Sequence, residues 1–163
     1  MNTLREETGT RSGVEIERAT WRDLSAVLAL EKSCFGRDAW PWIDILAALT
    51  FPEIVRLKAV SRDRLVGFVI GDRRRREGLG WIASIGVHPD FRRLGIGSRL
   101  LTACERDLAM PRIRLTLRDS NRPARSLYQQ CDYVEIDVWR RYYADGEDGI
   151  VMEKTMSSED ISG

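Results

Sequence analysis

Apolar and charged residues alternate from Val14 to Ala19, the two-residue period of a strand with one buried face. Thr20-Trp21-Arg22-Asp23 then sets a hydroxyl three residues ahead of an acid, which predicts a helix start, and the apolar spacing carries that helix to about Lys32. Cys34 to Pro41 reads as a loop, and Trp42 to Leu49 has the spacing of a second helix that Pro52 prevents from continuing. Ile54 to Val60 and Leu65 to Gly71 read as strands joined through Ser61-Arg62-Asp63-Arg64. Arg73 to Gly80 is a charged, Gly-ended connection, and the mostly apolar run Trp81 to Val87 suits the centre of a sheet.

Past Pro89, the residues Ile96, Leu100, Leu101, Cys104 and Leu108 recur at helical spacing between Gly95 and Met110. Ile113, Leu115 and Leu117 alternate with Arg112, Arg114, Thr116 and Arg118 as a further strand, and Arg122 to Cys131 reads as a helix with Pro123 in its first turn. Tyr133 to Tyr143 and Gly149 to Met156 complete an antiparallel pair across Asp145-Gly146-Glu147-Asp148. These elements predict an α+β fold layered α/β/α, with a mixed, mostly antiparallel central sheet of about seven strands flanked by about four helices. One domain is expected over 14–156, and the polar, aperiodic stretches 1–13 and 157–163 are expected to be disordered tails.

Composition narrows the function classes. A chain of 163 residues with 43% hydrophobic content can bury one core. The 26 basic and 25 acidic residues give a net charge of +1, so no whole-molecule field draws the chain to nucleic acid or to an anionic membrane, and neither is expected as a partner. Cys34, Cys104 and Cys131 are scattered, with His88 the one histidine, which argues against a structural metal or a disulfide framework. No run reaches the length of a membrane span and the N-terminus lacks the apolar core of a signal peptide, so the expected location is cytoplasmic.

The chemistry concentrates at Val87-His88-Pro89-Asp90-Phe91-Arg92-Arg93-Leu94-Gly95-Ile96-Gly97-Ser98-Arg99, where a central strand runs into a two-glycine turn that opens a helix. Such a turn aims free N–H groups outward, the helix dipole adds positive potential, and Arg92, Arg93 and Arg99 add charge. The spacing is neither the dinucleotide fingerprint nor a nucleoside-triphosphate loop. A different phosphate ligand is implied.

The run Arg92 to Gly97 matches [QR]-x-x-G-x-[GA], and by it the chain resembles the GNAT superfamily of acyl-CoA N-acyltransferases. Within that superfamily it is similar to the RimI-type ribosomal-protein N-terminal alanine acetyltransferases, through Leu117-Arg118-x-x-Asn121-x-x-Ala124-x-x-Leu127-Tyr128 and Tyr142-Tyr143-Ala144-Asp145-Gly146-Glu147-Asp148 with Met152. The resemblance implies a sheet splayed after Val87, acetyl-CoA as cofactor, and main-chain groups of Ile85, Gly86 and Val87 pairing with the pantetheine arm. It implies that Arg92, Arg93, Leu94, Gly95, Ile96, Gly97 and Ser98 hold the pyrophosphate, that Asn121 and Ala124 border the pantetheine, and that Tyr128 lies near the thioester sulfur. Tyr142 and Tyr143, on the late strand pair, would pack the first residues of a peptide acceptor.

Acetyl transfer to an amine needs a neutral amine, stabilisation of the oxyanion and a proton for the departing thiolate. Tyr128 is the candidate acid. RimI-type enzymes carry a glutamate base where this chain has Thr116, which cannot accept a proton near neutral pH, and Glu31 is the candidate substitute. An α-amine, with pKa about 7.7–8.0, is roughly 3.4 kcal/mol easier to deprotonate than a lysine at about 10.4, so a weakly equipped site favours a protein N-terminus. A small amine or a protein lysine as acceptor, and an acyl-CoA-binding regulator without turnover, are the alternatives. The sequence leaves monomer and homodimer both open.

Overall fold

The computed structural model describes residues 13–158, so most of the two tails lies outside the described residues. The chain runs β1 (Val14–Arg18), α1 (Leu24–Phe35), α2 (Trp42–Thr50), β2 (Ile54–Ser61), β3 (Arg64–Arg74), β4 (Leu79–Val87), α3 (Ile96–Leu108), β5 (Arg112–Arg118), α4 (Arg122–Gln130), β6 (Val134–Trp139) and β7 (Gly149–Thr155). The strands form one seven-stranded sheet in the order β1-β2-β3-β4-β5-β7-β6. Every neighbouring pair is antiparallel except β4 and β5.

That parallel pair positions the site. Its register runs from Leu79↔Arg112 to Ile82↔Leu115 and stops, although β4 continues to Val87 along β3 and β5 to Arg118 along β7. A bulge accounts for the parting. β3 pairs Ile70 with Ser84 and Gly71 with Ile82, so Ala83 is an extra residue on β4, and a bulge of this kind bends and twists its strand away from the neighbour. The sheet therefore opens as a V whose apex lies at Ile82 and Leu115.

One core lies on the α3 and α4 side of the sheet. α3 buries Ile96, Leu100, Leu101, Cys104 and Leu108 against Val69, Ile82, Ile113, Leu115 and Met152. Each such side chain is worth about 1.5–3 kcal/mol of apolar burial. Gly67 and Gly71 on β3 let α3 approach closely, because a Cβ at either would stand 2.9 Å from Leu100 Cδ1 or 2.8 Å from Cys104 Sγ. On the opposite face, Val27, Leu30, Ile45, Ala48 and Leu49 of α1 and α2 pack on Phe68 and Ile70.

Several boundaries differ from the sequence expectation. The Asp23 carboxylate accepts hydrogen bonds from the main-chain N–H (2.8 Å) and hydroxyl (3.3 Å) of Thr20, which tightens Trp21–Asp23 into a 3-10 turn, and α1 starts at Leu24. α1 also runs on through Cys34 and Phe35, which continue its apolar stripe, until Gly36 at φ +54° ends it. β3 extends to Arg74 because the Arg73 guanidinium binds the C-terminal carbonyls of α3, those of Asp107 and Leu108, where the helix dipole favours a cation. β6 stops at Trp139 instead of reaching Tyr143: Arg141 is left-handed at φ +53°, and its N–H and the Arg140 side chain both bond Asp148. Tyr142 and Tyr143 thus sit in a connection and not on a strand.

Candidate active site

The turn after β4 is built in two steps. Phe91 N–H bonds His88 O at 2.8 Å and Arg92 N–H bonds Pro89 O at 3.3 Å, closing a short 3-10 turn. Then Arg93 and Gly95 take left-handed φ values of 62° and 77°, and the first bond inside α3 runs from Arg99 N–H to Gly95 O at 3.1 Å. Among the described residues, the N–H groups from Arg93 to Ser98 have no main-chain acceptor outside this turn. Left-handed residues alternating with a helix start curve successive N–H groups into a concave anion site.

The arginines beside it behave differently from one another. Arg92 turns inward, its Nε donating to Val87 O at 3.0 Å and its Nη2 lying 3.9 Å from Cys34 Sγ. Arg99 donates to Val14 O at 2.9 Å. Of the three expected to add charge at the turn, Arg93 alone makes no ion pair or side-chain hydrogen bond among the described residues. The two glycines also differ: Gly95 needs its positive φ, whereas a Cβ on Gly97 would stand 3.2 Å from Leu127 Cδ2. Gly97 is therefore where α3 meets α4, against Leu127, the residue before Tyr128.

His88 N–H bonds Val66 O on β3, so strand alternation turns the main-chain groups of Val87 and Ile85 toward the V and those of Gly86 back to β3. Asn121 caps α4, its Oδ1 accepting from Ala124 N–H at 3.2 Å, which leaves its amide nitrogen as donor. Ala124, Leu127 and Tyr128 join the α3-side core. Burial pushes the Tyr128 phenol well above its ordinary range, so it holds its proton at neutral pH.

The other face of β4 holds a second constellation. Glu31 is 1% exposed, its Oε2 accepting from Ser84 hydroxyl at 2.9 Å and its Oε1 from Trp40 N–H at 3.2 Å. Burial raises its pKa, and the two hydrogen bonds offset part of that rise. One turn on, Cys34 donates to Val87 O at 3.5 Å, with its thiol also raised by burial. At the apex on β5, Thr116 Oγ1 is buried with no hydrogen-bond partner among the described residues. A Cβ on Gly149 would lie 3.0 Å from both Thr116 Cγ2 and the Tyr142 ring, so Tyr142 packs down beside Thr116.

Arg118 ties the surrounding loops together. Its guanidinium binds both Asp38 oxygens (2.6 and 2.9 Å), Asp145 (2.9 Å) and Glu147 (2.6 Å), and lies 4.1 Å from the Tyr143 ring centroid. Burial pushes the Tyr143 phenol up to about 12. Trp81 stacks on Trp139 at 5.8 Å, and Trp139 meets Tyr142 at 5.1 Å. Sequence reasoning named neither Ser84 nor Asp38, and gave Arg118 no role. Glu31 and Tyr128, the two candidate proton-transfer residues, flank the V from opposite faces of the sheet.

Residues 17–133 match the model of the "Acetyltransferase (GNAT) family". The chain belongs to that family. Over 151 residues it is 30% identical to the catalytic subunit of the N-terminal acetyltransferase A complex of Arabidopsis thaliana, covering 88% of this chain and 79% of that one. An N-alpha-acetyltransferase of Sulfurisphaera tokodaii is 42% identical over 77 residues, 45% of this chain and 46% of that one. The ribosomal-protein alanine N-acetyltransferase of Escherichia coli shares the fold at a TM-score of 0.79 and 24% identity, with 90% of this chain and 97% of that one covered.

As a GNAT acetyltransferase the chain uses acetyl-CoA, which supplies the acetyl group as an activated thioester. The residues present suit it. The anion site at Arg93–Ser98 lies where β4 and β5 part, and the main-chain groups of Ile85 with the N–H of Val87 face the V and offer the edge-strand pairing an extended amide arm requires, the Val87 carbonyl already accepting from Arg92 and Cys34. Among the described residues no helix is long and apolar enough to cross a membrane.

Proposed function

We propose that this acetyltransferase modifies the α-amine of protein N-termini, as a RimI-type enzyme acting in the cytoplasm. The similarity to the Arabidopsis N-terminal acetyltransferase subunit across 79% of that protein carries the reading. In it, the N–H groups of Arg93, Leu94, Gly95, Ile96, Gly97 and Ser98 hold the diphosphate. Arg92 braces the end of β4 behind them. Ile85, Val87, the Asn121 amide nitrogen and Ala124 line the pantetheine arm, and Gly86 holds β4 to β3. Tyr128 gives its proton to the departing sulfur from one face of the sheet. Glu31 takes the proton of the amine from the other, and Tyr142 and Tyr143 pack the first residues of the acceptor.

The chemistry of the base favours an α-amine. Thr116 offers no carboxylate at the apex, and among the described residues no cation holds Glu31 charged, so an amine already partly neutral near pH 8 suits the site better than a lysine. The test incubates the protein with acetyl-CoA and two peptides, one with a free N-terminus and no lysine, the other N-blocked with lysine. A 42 Da gain on the first alone, about the mass of one acetyl group replacing a proton, is expected. Modification of the blocked peptide alone would overturn N-terminal specificity.

A further inference from the structure

We propose that Ser84 is a catalytic residue, whose hydroxyl relays the acceptor's proton to the Glu31 carboxylate. The inference rests on the N-terminal acetylation reading. It starts from an elimination among carboxylates on the α1 face of the opening. Asp38, Asp145 and Glu147 are all bound to Arg118. Glu31 is not: the groups facing it are Trp40 N–H from the α1–α2 connection and Ser84 from β4, with Cys34 one helical turn away and Arg92 beyond that thiol. A carboxylate buried to 1% without a cation among the described residues is costly, and of these four carboxylates it is the one that no guanidinium holds in its charged form.

Ser84 supplies the path. It follows the Ala83 bulge at the apex of the V, and it is 8% exposed. Its single hydroxyl proton is committed to Glu31 Oε2 at 2.9 Å, which leaves the lone pairs of Oγ to accept an N–H. As the amine nitrogen forms its bond to the acetyl carbon and the carbon–sulfur bond breaks, the nitrogen's proton passes to Ser84 Oγ while the Ser84 proton passes to Glu31. Tyr128 protonates the sulfur. Glu31 then loses its proton to solvent and Tyr128 regains one, so protons balance over a turnover. Thr116, facing the apex from β5, has a hydroxyl with no carboxylate behind it and cannot play this part.

The experiment uses the full chain with Ser84→Ala, Ser84→Thr, Glu31→Gln and the double variant Ser84→Ala/Glu31→Gln, assayed on the free N-terminal peptide. Ser84→Ala is expected to lower kcat by about 100-fold, the scale of general acid–base catalysis, with acetyl-CoA affinity by calorimetry unchanged. Ser84→Thr, which keeps the hydroxyl, retains most activity, and the double variant is no slower than Glu31→Gln. Losing the hydroxyl removes a hydrogen bond that lowers the Glu31 pKa, so the acid limb of kcat/KM moves to higher pH in Ser84→Ala. Carbon-13 NMR of the Glu31 carboxyl should show the same upward shift without any turnover. An active wild type whose Ser84→Ala variant keeps its kcat and pH profile overturns the relay alone. Wild type inactive on the peptide but active on the lysine peptide overturns the N-terminal reading, and the relay is then judged by the NMR shift and the same variants on lysine.

Discussion

Replacing Gly95 by alanine separates backbone shape from side-chain contact at the cofactor turn. Gly95 sits at φ +77°, and a Cβ built there meets nothing within 4 Å, so the substitution introduces conformational strain and no clash. A left-handed alanine costs roughly 1–2 kcal/mol. For a chain of this size each kcal/mol lowers Tm by about 2–4 °C, so Gly95→Ala should melt about 2–8 °C below wild type. The strain is relieved if the turn relaxes, but relaxation rotates the N–H groups of Arg93 to Ser98 out of their common focus. Losing one charge-assisted hydrogen bond of about 1.5–3 kcal/mol weakens coenzyme A binding by about 10- to 150-fold. Gly95→Asn, better tolerated in a left-handed conformation, should recover part of both losses. Gly97→Ala is the contrast, because Leu127 Cδ2 at 3.2 Å is the movable end of a side chain and a helical alanine gains about 1 kcal/mol over glycine. Calorimetry with coenzyme A and thermal melts of the three variants decide the matter. Unchanged affinity in Gly95→Ala would refute the argument that backbone curvature makes the anion site.

Other substitutions probe the remaining parts. Tyr128→Phe removes the proton donor and should lower kcat by about 100-fold with little change in acetyl-CoA affinity, measured by thiol release and calorimetry; an unchanged kcat would assign Tyr128 to packing alone. Thr116→Val keeps the shape and deletes a buried hydroxyl without a partner, so it should stabilise the protein by about 1 kcal/mol and leave kcat intact. Arg118→Ala frees Asp38, Asp145 and Glu147 to repel one another, and is expected to raise the peptide KM while acetyl-CoA affinity stays as in wild type. Glu31→Gln tests the pH dependence of stability. Burial raises the Glu31 pKa, so its contribution is fully present below the ordinary carboxylate range and is lost as pH rises through the raised value. Wild type should lose stability relative to Glu31→Gln over that rise, read by denaturant melts between pH 4 and about 8. A parallel pH dependence of the two would contradict it.

Much of the fold was legible because its elements bury one face each. The alternation in Arg112–Arg118 and the stripe Ile96, Leu100, Leu101, Cys104, Leu108 report burial directly, and the structure reproduces both. The boundaries that moved were set by contacts far off in sequence: Arg73 is pulled into β3 by the carbonyl ends of α3, and β6 is cut short by Asp148 binding Arg140 and Arg141. The cofactor turn was readable because a phosphate site made of main-chain groups leaves its trace in glycine spacing. The acceptor side was harder, since Ser84, Asp38 and Arg118 act through partners 53, 80 and 27 to 29 residues away. Glu31 did leave a signal. It lies on the helical stripe of Val27, Leu30 and Cys34, where a lone carboxylate among apolar neighbours marks a buried acid.

A nitrogen-15 amide titration with coenzyme A tests the anion site most directly. The N–H resonances of Leu94, Gly95, Ile96, Gly97 and Ser98 should move downfield together and saturate with one affinity, because these groups gain a charged acceptor they lack inside the protein. Saturable binding that leaves those five resonances in place, or no binding at millimolar ligand, would contradict it.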